Sequence, residues 1–225
     1  MAIAVAAQEK PVSITGEAHH QLVLENEYTR VFHVVVPSKQ STLVHQHDLD
    51  YVSVQIGASD ITNEKAGAAA AEVKLDDGAV KFAKGGFAHK ISILSDTPFE
   101  NLTIEVKKAS TKSICAAAWP GVQPEKGREC TLIVESGLVG QETNVETDAV
   151  EARTYFTTGS GTGLTLHADS PSLLVPLTEL RCACGGSPEK EMKRGDATWL
   201  PKGTSADVTK VGSKSNAVLV MVTFK

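Results

Sequence analysis

The feature that most constrains this chain is a succession of short β-branched runs, each cut off by glycine or proline. Val31 to Val36 (VFHVVV) stops at Pro37, and Tyr51 to Ile56 (YVSVQI) stops at Gly57. Lys90 to Leu94 and Asn101 to Val106 (NLTIEV) flank a turn at Ser95-Asp-Thr-Pro98. Arg153 to Thr158, Leu173 to Leu180 and Ala217 to Phe224 have the same character. β-branched and aromatic side chains suit a pleated, half-buried surface, whereas Gly and Pro interrupt it. Strands recurring at roughly 8–12-residue spacing define an all-β sandwich or barrel. The Ala66–Ala71 run is too short for more than one helical turn.

The same pattern occurs twice. Lys84-Gly-Gly-Phe-Ala-His89, with Asn101 beyond it, lines up with Lys202-Gly-Thr-Ser-Ala-Asp207 and Asn216. Upstream, Leu43-Val-His-Gln-His47 lines up with Thr165-Leu-His-Ala-Asp169. A duplicated β unit accounts for both matches. At 225 residues the chain has room for two such units of roughly 110 residues each. The expected organisation is a first barrel over 16–108, a linker over 109–128 containing Trp119-Pro-Gly121, and a second barrel over 129–225.

Composition removes several functions. The formal net charge is -5 and no basic stripe exists, so no nucleic-acid partner is expected. No apolar run reaches 18 residues, so no membrane-spanning helix is expected. Met1 to Gln8 reads either as the tail of an export signal, implying a periplasmic or secreted protein, or as an Ala-rich terminus of a cytoplasmic one. Cys115 and Cys130 flank a Pro/Gly-rich stretch and can close a loop under oxidising conditions. Cys182 and Cys184 share one face of a strand, where a C-x-C disulfide would be strained. A zinc site from these four is disfavoured, because C-x-C lacks the usual ligand spacing.

The chemistry rests on histidines. Alternate strand residues face one way, so His45 and His47 point together, with Tyr51, Ser53 and Gln55 on the same side if the register holds. Two neutral imidazoles at i and i+2 can bind one metal, and His89 is the best third ligand. His19-His20 lies outside both matched segments and reads as solvated or capping. His33 alternates with Val31 and Val35 and reads as a satisfied core residue, although it could line the pocket. There is no G-x-S-x-G elbow, P-loop or G-x-G-x-x-G, and Gly159-Ser-Gly-Thr-Gly163 reads as a flexible loop.

These motifs resemble the cupin superfamily. Its first motif is echoed by His45-Gln-His47-Asp-Leu-Asp-Tyr51 ending at Gly57, and its second by Gly78 through Gly85-Gly-Phe-Ala-His89. The resemblance implies two tandem cupin-type jelly-roll barrels, with His45, His47 and His89 holding a divalent metal (Fe, Mn, Zn or Ni) in the first. The family's glutamate position is held by Tyr51, better suited to contact substrate than metal because a phenol ionises near pH 10. Gln55 is the second candidate for contacting substrate. In the second barrel His167 would replace His45, Asp169 His47, Asp207 His89 and Leu173 Tyr51, leaving a degenerate site. The function implied is a metal-dependent, dioxygenase-like enzyme acting on a small organic molecule. A lyase or isomerase, or a non-catalytic binding protein, are the alternatives. The expected partner is a small-molecule substrate, and a homodimer is compatible with the sequence.

Overall fold

A computed structural model describes residues 10–116, 130, 132–134, 138–158, 160–212 and 216–225. In the first half the strands are β1 (Val12–Ser13), β2 (His20–Glu25), β3 (Thr29–Val36), β4 (His45–His47), β5 (Asp50–Gln55), β6 (Ser59–Lys65), β7 (Ala71–Leu75), β8 (Val80–Ala83), β9 (Phe87–Ile93) and β10 (Phe99–Val106). In the second they are β11 (Ser113–Ala116), β12 (Leu132–Val134), β13 (Val139–Thr147), β14 (Val150–Thr157), β15 (Gly163–His167), β16 (Ser172–Pro176), β17 (Leu180–Cys184), β18 (Lys190–Met192), β19 (Thr198–Leu200), β20 (Ser205–Lys210) and β21 (Val218–Phe224). A single 3-10 turn, Ile14–Gly16, precedes β2, and the described residues contain no α-helix. Ala66 lies in a turn and Ala71 opens a strand.

Four sheets result. The first half forms one of order β1-β4-β9-β6-β7 and one of order β2-β3-β10-β5-β8. The second half forms β11-β13-β14-β21-β16-β19, with β12 on β13, and β15-β20-β17-β18. Each pair of sheets closes over its own apolar interior. Phe32, Val34 and Phe99 meet Ile61, Ile91 and Ile93 in the first, and Leu174, Leu200 and Leu219 meet Leu166, Leu180 and Val208 in the second.

The opposite faces of the two middle sheets are apolar as well. Val52, Val54, Leu102 and Ile104 of the first half form one buried cluster with Val150, Leu173, Val220 and Val222 of the second. Strands buried on both faces explain why these segments read as continuous hydrophobic runs instead of alternating ones. Each such side chain contributes roughly 1.5–3 kcal/mol when fully buried, so this cluster welds the halves together.

Two features of the connecting region concern expectations from sequence. Within 109–128, Ser113–Ala116 is β11, paired to β13, whereas 117–128 lies outside the described residues, as do Met1 to Gln8 and Gly159. Cys115 is bonded to Cys130, and Cys182 is bonded to Cys184 on the inner face of β17.

Candidate metal centre

The tight turn of Lys84-Gly-Gly86 sets the site. Gly86 N–H donates to His47 C=O at 2.7 Å with Gly86 at φ +87°. A Cβ on Gly85 would lie 2.5 Å from the Leu49 carbonyl carbon, so only glycine lets the turn sit on that backbone. The buried Asp50 carboxylate holds the turn by accepting from Gly85 N–H at 3.0 Å and from Ser110 N–H at 2.8 Å. β4 and β9 then pair in the register His45↔His89, and alternation turns His45, His47 and His89 into the barrel.

A fourth imidazole arrives from the facing sheet. His20 on β2 pairs with Val34 and is buried. Its ring lies 4.6 Å from that of His45, and His45 is 4.6 Å from His89. One ring nitrogen each from His20, His45 and His47 lie within 4.8 Å of one another. Nε2 of His47 is 3.1 Å from Nε2 of His89. The expectation that His19-His20 is solvated or capping is therefore corrected for His20: strand pairing carries it inward. The signal in the sequence is Glu17-x-x-His20, an acid placed to orient an imidazole.

The hydrogen bonds fix which nitrogen faces the centre. His20 Nδ1 donates to Glu17 Oε2 at 2.6 Å, His45 Nδ1 to the Leu43 carbonyl at 2.9 Å, and His89 Nδ1 to Asn63 Oδ1 at 2.8 Å. In a neutral ring so bonded, Nε2 keeps its lone pair. A neutral imidazole has one N–H, and buried His47 Nδ1 has no partner to receive it. Placing that proton between His47 and His89 leaves Nδ1 as an unpaired acceptor, and either arrangement costs about 1–3 kcal/mol. A cation shared by the Nε2 atoms removes the contact between lone pairs. The donor set fits a divalent first-row metal, with ligands oriented by carboxylate, carbonyl and amide partners.

Electrostatics keep His45, His47 and His89 neutral. Burial, then neighbouring His20, lowers His45 to about 4. Burial and the adjacent imidazoles hold His47 and His89 well below the usual histidine range. Burial by itself would raise Glu17, but hydrogen bonds from His20 and His19 outweigh it and hold the carboxyl at about 2. Glu17 is thus an anion in direct contact with the cluster, bonding His19 Nδ1 at 2.9 Å as well as His20.

The chamber around the imidazoles is tight, about 20 Å³, and its walls include Val34, Tyr51, Ile91, Phe99, Asn101 and Thr103. That volume suits one ion or one water-sized molecule. Tyr51 stacks on His47 at 4.5 Å, and burial, then Glu105, raises its phenol above the ordinary value. Phe87 stacks on the other neighbourhood of His47 at 5.6 Å, with Lys65 Nζ 4.7 Å from its ring centre. The structure brings His45, His47, His89 and Tyr51 together. It does not bring in Gln55, whose amide donates to the Gly57 carbonyl at 2.9 Å away from the chamber walls. His33 points to the outer face and pairs with Glu100 at 2.8 Å, half-exposed.

The second barrel repeats the turn but not the site. Gly203 N–H donates to Ala168 C=O at 2.7 Å, as Gly86 does to His47. β15 and β20 pair with Leu166↔Ala206, where β4 and β9 pair His45↔His89. The structural counterparts of His45, His47 and His89 are therefore Leu166, Ala168 and Ala206. The sequence overlay was one residue out of step, and a one-residue slip in a strand turns every side chain to the other face. His167, Asp169 and Asp207 point to solvent, Asp207 accepting from Thr165 Oγ1 at 2.7 Å. Ser172, not Leu173, stands where Tyr51 does, each opposite its own edge of the last strand, at Thr223 and Glu105.

No family model and no curated relative matches the sequence. Solved structures do match. AerE from Microcystis aeruginosa superposes with a TM-score of 0.63 at 10% identity, over 96% of this chain and 98% of that one. Oxalate decarboxylase from Bacillus subtilis superposes with a TM-score of 0.60 at 10% identity, over 88% of this chain and 68% of that one. At such identity the likeness is one of fold. The protein is all-β, two tandem cupin-type jelly-roll barrels, with a buried histidine cluster suited to a metal ion in the first.

Proposed function

We propose that the first barrel is a metal-dependent catalytic chamber of the oxygenase type, acting on a small organic molecule. The reading is carried by ring nitrogens of His20, His45 and His47 within 4.8 Å of one another, with His89 Nε2 3.1 Å from His47 Nε2 and three of the four rings held by hydrogen bonds at Nδ1. When bound, a divalent metal (Fe, Mn, Zn or Ni) would supply Lewis acidity and, if redox-active, electrons for dioxygen chemistry. The chain's own residues keep His45, His47 and His89 neutral, exclude bulk water through Val34, Ile91 and Phe99, and present Tyr51, Asn101 and Thr103 to whatever enters. Oxalate decarboxylase, similar in fold, acts on a dianion. Among the described residues no lysine or arginine lines this chamber, so an uncharged guest such as dioxygen suits it better. In this reading the second barrel carries no metal, since Leu166, Ala168 and Ala206 replace the ligands.

One observation favours a second reading. Three clustered imidazoles, a fourth touching His47, and a chamber of about 20 Å³ also describe a closed, non-catalytic metal site. Elemental analysis of wild type beside His45→Ala and His89→Ala, with oxygen uptake followed on the same samples, separates the cases. One redox-active metal per chain, lost in both variants and accompanied by uptake, supports the oxygenase. Zinc or nickel without uptake points to lyase, isomerase or purely structural use. Full metal content in both variants overturns the site.

A further inference from the structure

We propose that the second barrel is an organic-anion site, taking a small carboxylate with an apolar or aromatic body. In the first barrel the interior positions of β3 are Phe32 and Val34, opposite Thr103 and Asn101. The matching positions of β14 are Arg153 and Tyr155, opposite Met221 and Leu219. Where the first barrel is plugged by Phe32 and filled by imidazoles, the second holds an arginine and opens. A cavity of about 270 Å³ lies over Arg153, Met221 and Thr223, with His167 and Asp169 at its rim. A second, of about 210 Å³, adjoins it across Tyr155 and runs over Leu164 and Leu166.

Placing a guanidinium on the inner face of a barrel costs desolvation, offset within the wall by the Glu151 carboxylate and by a hydrogen bond with the Tyr155 side chain. Arg153 Nε donates to Glu151 Oε1 at 2.7 Å, and Nη2 contacts the same oxygen. The side chain is still 35% exposed and lines the cavity, and its guanidinium has N–H donors beyond those that Glu151 and Tyr155 use. A carboxylate can take them in a charge-assisted bond. The apolar body of the ligand would rest on Tyr155 and reach toward Leu164 and Leu166. The larger cavity by itself exceeds the histidine chamber more than tenfold.

The site is independent of metal, and the test is built on that. Benzoate is titrated into full-length protein, metal-loaded and chelated, with amide shifts followed by NMR and benzamide as the uncharged control. The expected result is saturable benzoate binding, equal in both forms, with shifts on β14, β15 and β21. Benzamide and the E151Q/R153Q protein, which loses both charges together, bind at least about tenfold more weakly. Equal affinity for benzoate and benzamide, wild-type affinity in the double variant, shifts confined to the first barrel, or no saturation by about 10 mM would each overturn the proposal. None of these outcomes bears on the histidine cluster, which the metal analysis tests separately.

Discussion

The two barrels share a turn, a strand order and a register, and differ in what they place at the same interior positions. At three counterpart sites the first has His45, His47 and His89, and the second Leu166, Ala168 and Ala206. The scaffold tolerates both because its stability comes from elsewhere, from the strand ladders and the apolar layer between the barrels. Polar function in the first barrel is possible because each buried imidazole but one is satisfied by a dedicated partner. At the three counterpart positions the second barrel needs no such partners, because Leu166, Ala168 and Ala206 pack without them.

The comparison breaks most sharply on metal content. Replacing His47 or His89 with alanine is expected to abolish stoichiometric metal binding, whereas His167→Ala and Asp207→Asn, outward-facing in the second barrel, leave it unchanged. Elemental analysis of the four proteins decides this. Next in size is the shared layer. Leu102→Ala should cost roughly 2–5 kcal/mol and lower the melting of both halves together in a single calorimetric transition. Two separated transitions would show that the layer does not couple the barrels.

Glu17→Gln keeps the size of the side chain and removes the charge that orients His20. Metal affinity should fall by about 10–100-fold with circular dichroism unchanged, as read by competition with a chromogenic chelator. The smallest effect concerns acid. In chelated protein His45 is held at about 4, against 6.5 for a free histidine. Below pH 6.5 the unfolded chain takes up a proton that the folded chain refuses, so stability falls with acidity until about pH 4. Thermal melts of the chelated protein across that window should show the decline, and the His45→Leu protein, built to match the second barrel, should show less of it.

Much of the fold was legible in sequence. The runs at Val31, Tyr51, Asn101, Arg153 and Ala217 match β3, β5, β10, β14 and β21, overrunning them by at most one residue, because β-branched runs between turn formers have few other ways to bury themselves. The ligand face of β4 was legible for the same reason: alternation is a local property. His20 was not, since nothing local says that β2 lies across the barrel from β4. Gln55 shares strand β5 with Tyr51, yet alternation says nothing of how far along the barrel axis a residue sits. The overlay of the halves failed by one residue because identity at His167 outweighed the turn geometry that sets the true register.

The sequence by itself determined the class of fold, the duplication and three of the four clustered histidines. These follow from periodicity and from residue types whose chemistry is their own. Only the tertiary structure decided that His20 and Glu17 complete the cluster, that the second barrel turns its histidine outward, and that its interior opens around Arg153. Those facts depend on which strands face each other across a barrel, and long-range pairing is written in no single segment of the chain.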